Sequence, residues 1–261
     1  MGPDEVQDQR VLKSPDLPTL SELQKHRITH LPYRAWCPEC VEAFAREMAH
    51  KLSTKEKRDS PLIFVGYFFL SPKGVVTRDE VENKWEDPPD GTLRVLAGRC
   101  SNTKTLFAYA VPQKGDDAHG YAAKCLSESI AWMGHARIAI RSDNEPAIVA
   151  LVMSAANILK AGGVDVTCKG STPYDPQSNG AAESALRLVK GQLRALQLGL
   201  ERQLSAHIPV AHPIMTWLVR HAAMLRTMMV IDDDGKTAWQ RARGKACNFD
   251  LIHFGEVARY K

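Results

Sequence analysis

The chain reads as an α/β protein built on a mixed β-sheet, with a small helical metal-binding module in front of it. Three observations predict this. An almost unbroken apolar, β-branched and aromatic run occupies 62–70, and two further strand-like runs follow it. From residue 119 onward helical and strand patterns alternate, as in consecutive βα units. Ahead of all of these, two histidines and two cysteines fall at spacings that suit one cation. At 261 residues, 44% of them hydrophobic, the chain can bury one large core or two modest ones, which excludes intrinsic disorder as its main description.

Taken in order, residues 1–20 carry Pro3, Pro15 and Pro18 among polar neighbours and are expected to form a flexible arm. Ser21 and Gln24 offer a capping box for a helix at 22–30 that must stop before Pro32. A cysteine knot, a helix at 41–51 and a charged linker complete a module over 21–60. The main domain then spans 61–230. Its first strand, 62–70, is apolar on both faces, and a polar connection at 71–91 follows. Strands at 93–99 and 105–111 flank Ser101-Asn102 turn chemistry and extend an antiparallel meander. A helix at 119–133, a strand at 137–141, a helix at 146–161 and a strand at 164–169 then continue the sheet in parallel. Residues 231–261 read as the start of a C-terminal extension.

Several classes are excluded as expectations. The first ten residues have no apolar core, and the longest nearly apolar stretch, 147–159, is shorter than the roughly 18–20 residues a bilayer needs. Neither a signal peptide nor a membrane span is expected. Pro3 after Gly2, with no Ser or Thr at position 6, argues against myristoylation. Six cysteines are too few for a disulfide scaffold of this length, which points to a reducing compartment. A net charge of +4 is informative only if the positive charges cluster.

Three segments could carry chemistry. In HRITHLPYRAWCPEC, His26 and His30 share one face of a helix, while Cys37 and Cys40 flank a tight turn. Together they make a complete tetrahedral set for zinc; the alternative is two exposed histidines and two free thiols. In IAIRSDNEPAI, a short strand delivers Asp143 at its C-terminal end, where α/β sheets open onto a crevice. Asp143 is therefore a candidate metal ligand or, alternatively, a cap for the helix restarted at Pro146. In KGSTPYDPQSNGAAESALRLVKGQLRALQLGLERQL, the prolines and Asn179-Gly180 predict a loop, with a long helix beginning at Ala181. Leu186, Val189, Leu193, Leu196, Leu200 and Leu204 form its expected buried stripe. Glu183, Arg187, Lys190 and Arg194 recur on another face. An acid followed by a line of cations could hold a metal and then track a phosphate backbone, or it is simply a solvated face.

In combination these segments resemble the integrase region of long-terminal-repeat retrotransposons, particularly copia-type polyproteins. The resemblance rests on His26, His30, Cys37 and Cys40, on the SDNE of 142–145, and on YDPQSNGAAES at 174–184, and it covers most of 22–261. It implies an HHCC zinc module ahead of an RNase H-like core with a five-stranded mixed sheet. Asp143 and Glu183 would be the second carboxylate and the glutamate of a catalytic DDE triad that holds Mg2+ or Mn2+. Asn179, Arg187, Lys190 and Arg194 would contact DNA. The implied chemistry is DNA integration by metal-dependent polynucleotidyl transfer, by a homo-oligomer in the nucleus or in a retroelement particle, without a membrane partner.

One departure matters more than the matches. The first aspartate of that triad belongs in the middle of the first strand, and PLIFVGYFFL places Gly66 there. A two-metal mechanism uses that carboxylate between the ions. The sequence therefore predicts an integrase-like domain with impaired catalysis or, alternatively, a noncatalytic DNA-binding remnant. Asp79, Glu80, Glu82, Glu86 and Asp87 in the following connection are substitutes to consider.

Overall fold

A computed structural model describes residues 18–44, 60–71, 74–76, 91–170 and 176–257, without the side chains of 74–76 and 176–182. Helix α1, Leu20–Thr29, begins at Thr19, whose hydroxyl accepts from the Glu22 N–H at 3.2 Å while the Glu22 carboxylate accepts from the Thr19 N–H at 2.9 Å. The capping box thus lies two residues before the expected Ser21–Gln24 pair, and the helix ends at Thr29. Helix α2 is Pro38–Phe44, starting earlier than the predicted 41–51 because Pro38 suits a first helical position. Residues 45–50 lie outside the described residues.

The sheet comprises β1 (Leu62–Ser71), a short β2 (Gly74–Val76), β3 (Leu93–Cys100), β4 (Leu106–Val111), β5 (Arg137–Ser142) and β6 (Asp165–Gly170). Five strands run in the order β4-β3-β1-β5-β6, with β2 folded back on the far end of β1. β1 pairs antiparallel with β3, as β3 does with β4, whereas β1–β5 and β5–β6 are parallel. Helices α3 (Tyr121–Trp132), α4 (Pro146–Ala161), α5 (Pro176–Leu204), α6 (Ile214–Met229) and α7 (Ala238–Arg243) complete the described elements. This is the RNase H-like mixed sheet with flanking helices that the sequence predicted.

Alternation along the strands divides the core in two. Ile63 and Val65 of β1 join Ile138 and Ile140 of β5 against Leu126 of α3 and Leu151 of α4. Phe68 and Leu70 of β1 join Val95 and Ala97 of β3 against Val189 and Leu193 of α5 and Leu218 of α6. Both faces of β1 are therefore buried, which is why its sequence reads as a continuous apolar run. Gly98 in β3 is required sterically: a Cβ there would lie 2.3 Å from the Phe64 carbonyl oxygen and 2.4 Å from the Phe107 ring.

Helix α5 corrects the expected loop through Gly180. The helix already begins at Pro176 and carries Asn179 and Gly180 in its backbone, so Glu183 lies two turns in rather than in the first turn. Proline is well tolerated at the start of a helix, and an interior glycine costs only about 1 kcal/mol. That cost is small beside the burial of Val189, Leu193, Leu196 and Leu200 on the sheet, whereas Leu204, the predicted end of that stripe, is exposed. Residues 1–17, residues 77–90 with the five acidic candidates, and residues 171–175, where the sequence predicted part of a loop, lie outside the described residues.

Candidate functional site

Two assemblies stand out, one in front of the sheet and one at the end of its parallel strands. In the first, α1 carries His26 in its last turn, and His30 follows as the C-cap with φ 53° and ψ 29°, the left-handed conformation that turns the chain out of the helix. His26 packs edge-on against Trp36 at 4.8 Å. Cys37 immediately precedes α2 and Cys40 lies in its first turn. The Cys37 sulfur is 3.4 Å from His30 Nδ1, and the Cys40 sulfur is 3.3 Å from His26 Nε2. All four side chains are buried, and their ligand atoms lie within 4.8 Å of one another.

The two sulfur–nitrogen distances fit one tetrahedral zinc, whose sulfur and nitrogen ligands at about 2.3 and 2.0 Å stand roughly 3.3–3.8 Å apart. The alternative of two exposed histidines does not hold, because His26 and His30 are 5% and 2% exposed. The Cys40 sulfur beside it, and then burial, push the Cys37 thiol up to about 11, while the Cys37 S–H holds Cys40 down. Two buried sulfurs thus retain a proton between them unless a cation takes its place. Cys37 also donates to Glu39 Oε2 at 3.0 Å. Burial opposes ionisation of Glu39, but the Cys37 S–H, the backbone and Arg202 outweigh it and hold its carboxyl down to about 2. Arg202 of α5 reaches Glu39 at 2.7 Å.

The second assembly lies at the C-terminal end of β5, where its pairing with β1 stops while β1 runs on to Ser71. Their last registered pair is Phe64 with Arg141. Two residues further along each segment come Gly66, inside β1 and paired with Ala97 of β3, and Asp143, the first residue beyond the end of β5. Gly66 is covered by α5: a Cβ on it would meet Leu186 Cδ1 at 3.3 Å. Glu183 lies three residues before Leu186, about one turn along the helix, and is exposed, whereas Asp143 is half-buried. Asp143 does not cap α4, whose N-cap residue is Glu145. Glu145 instead pairs with Lys114 at 2.7 Å. Among the described residues, the HHCC set is the one group of three or more histidine, cysteine or acidic side chains close enough to share an ion.

Beyond Leu186 the cations of α5 continue. Arg187 and Arg194 are exposed, and the Lys190 ammonium sits 5.3 Å above the Phe68 ring. Burial, then the fields of Arg194 and Arg187, push the Lys190 amine down. Asn179 lies on the same helix, with its side chain outside the described residues.

Sequence reasoning missed Gly191, Gln192, Gly199 and Arg202 on α5, which face the HHCC module rather than the sheet. A Cβ on Gly191 would lie 2.2 Å from the Phe44 ring, and one on Gly199 would lie 2.6 Å from His30 Nε2. The signal was present in the sequence: Gly191, Ala195 and Gly199 recur every four residues inside a helix otherwise made of strong helix formers.

No protein-family model matches the chain, and no curated protein matches it. Among solved structures it is similar to a chain of the simian T-cell lymphotropic virus intasome in complex with PP2A regulatory subunit B56 gamma, with 15% identity and a TM-score of 0.47. That match covers 77% of this chain and 60% of the intasome chain. It is also similar to the magnesium-bound HTLV-2 integrase catalytic core domain in a trimeric form, with 10% identity, a TM-score of 0.42, and coverage of 70% of this chain and 95% of that one. The dimeric form gives 10% identity, a TM-score of 0.43, and coverage of 70% and 94%. No described helix is long and apolar enough to cross a membrane.

Proposed function

We propose that this chain is an integrase-type domain that binds DNA along α5, is folded at its N-terminal end by one Zn2+, and is impaired in strand transfer. One observation carries the reading. Gly66 follows Phe64 by two residues as Asp143 follows Arg141, the partner of Phe64 in the β1–β5 pair, and the resemblance puts the bridging carboxylate of a two-ion centre at Gly66. The neighbouring space holds an apolar side chain, since Leu186 packs toward Gly66. Asp143 and Glu183 alone do not complete a two-magnesium centre.

The zinc site is different in kind. Four protein ligands leave no open position, so the ion would supply structure rather than activate water. The ions and the DNA have separate supports: the sulfur and nitrogen geometry for zinc, and the row of Arg187, Lys190 and Arg194 for the phosphate backbone. Self-association, which the resemblance implies, is measured by sedimentation of the zinc-loaded chain.

Strand transfer from a DNA end, assayed in Mg2+ and in Mn2+, tests the catalytic reading. The unmodified chain is expected to give a rate reduced by well over the 10 to 100-fold typical of losing an outer-shell partner. Gly66→Asp combined with Leu186→Ala, which clears space for the new carboxylate, is expected to raise it. Robust transfer by the unmodified chain that Asp143→Asn abolishes would mean that another carboxylate serves, and the reading fails. The pair Leu186–Gly66 favours a second reading, a purely DNA-binding remnant. That reading predicts no activity in the double variant but unchanged DNA affinity.

A further inference from the structure

We propose that helix α5 is the fourth wall of the HHCC metal site, and that Gly199 and Gln192 are positioning residues that set the His30 imidazole for the metal. The inference rests on the zinc reading above and concerns residues outside the ligand set.

The two histidines present different nitrogens to the sulfurs: His26 uses Nε2, whereas His30 uses Nδ1. For His30 to aim Nδ1 at the cysteines, its Nε2 edge must point the opposite way, and there it runs into α5. The helix yields space at one residue. A Cβ on Gly199 would lie 2.6 Å from His30 Nε2 and 3.4 Å from its Cε1, so any side chain would push the ring off its axis. The backbone beside the ring is held as well. Gln192, fully buried on the same helix, donates from Nε2 to the Thr29 carbonyl oxygen at 2.6 Å, directly before His30 in the chain. A third contact comes from Arg202, which pairs with Glu39 at 2.7 Å and so ties α2, the helix that carries Cys40, to α5.

The glycines are otherwise unfavourable. Each interior helical glycine costs about 1 kcal/mol relative to alanine, and α5 places Gly191 and Gly199 on one face two turns apart. Both positions are filled by the module: Phe44 lies against Gly191 and His30 against Gly199. The face that admits the module is distinct from the stripe of Val189, Leu193, Leu196 and Leu200 that holds the sheet. Metal loading is therefore coupled to the helix that carries Glu183, Arg187 and Lys190. By linkage, an ion that binds only when His30 is seated against α5 stabilises that docking by the same free energy.

The test measures zinc affinity of the full chain by competition with a chromophoric chelator, with amide exchange across α5 recorded with and without zinc. The unmodified chain should bind about one equivalent, and exchange around 189–200 should slow when zinc is bound. Gly199→Ala, with all four ligands intact, should weaken zinc by about 10 to 100-fold, the range for partners that orient a ligand. Gln192→Met guards against a variant that simply fails to fold, since it introduces no clash and removes the Gln192 carboxamide oxygen, which is buried without a hydrogen-bond partner in the structure. It should weaken zinc severalfold and reduce the zinc-dependent protection of α5. If the unmodified chain binds no zinc, the metal-site reading falls and this inference with it. If it binds zinc but Gln192→Met and any folded Gly199→Ala bind it equally well, the metal site stands and the role of α5 is refuted.

Discussion

At the scale of single residues, two glycines in the sheet make opposite predictions. A Cβ on Gly98 would meet the Phe64 carbonyl oxygen and the Phe107 ring within 2.4 Å, and a backbone atom paired in a sheet has nowhere to move. Gly98→Ala is expected to cost about 3 kcal/mol or more, at the upper end for overpacking, read as a lowered urea midpoint. The Cβ of Gly66→Ala would meet the tip of Leu186 at 3.3 Å, and a leucine end can shift by a few tenths of an ångström. Its cost is expected to stay within about 1 kcal/mol. A Gly66→Ala variant as unstable as Gly98→Ala would mean that the β1 register, and with it the packing of Leu186 over Gly66, differs from the one described. Gly66 thus stands where chemistry could have placed a larger residue, whereas Gly98 stands where sterics forbid one.

At the scale of the element, α5 carries three surfaces along one helix. One holds the sheet, one receives the HHCC module, and one presents Arg187, Lys190 and Arg194. The third predicts a salt dependence. If each cation neutralises one phosphate, replacing all three with alanine should reduce the slope of log affinity against log salt by about 2.7 on duplex DNA, at about 0.9 per contact. Lys190 is packed against Phe68, so Lys190→Ala alone should also lower stability through lost side-chain packing, where Arg187→Ala should not. An unchanged salt slope in the triple variant would assign the DNA surface elsewhere.

At the scale of the whole molecule, the module and the core are joined through α5, so removing the metal should not melt the module alone. With free zinc at a thousand times its dissociation constant, linkage gives about 4 kcal/mol of stabilisation. Chelation is expected to lower the thermal midpoint of the main transition, monitored by far-ultraviolet circular dichroism, and not merely to remove a separate early step. Replacing Cys37 and Cys40 with serine should abolish the zinc-dependent shift. A main transition indifferent to chelator, together with an early step that responds to it, would show that the module folds independently of the core.

Much of this arrangement is determined by the sequence alone. The apolar run at 62–70, the helical period of 146–161 and the spacing of His26, His30, Cys37 and Cys40 are local patterns, and local patterns follow from side-chain period and backbone geometry. Strand bounds came within a residue or so for the same reason. The start of α5 was not legible, because Pro176 and Asn179-Gly180 are turn residues in isolation and become helical only in a segment whose later leucines are buried on the sheet. Tertiary structure alone decided that Gly66 lies beneath Leu186 and that Phe64 pairs with Arg141, since strand register and helix docking bring together residues distant in the chain. It also decided that Gly191 and Gly199 are seats for Phe44 and His30. A glycine's role is the space it leaves, and only the neighbour that fills that space reveals it.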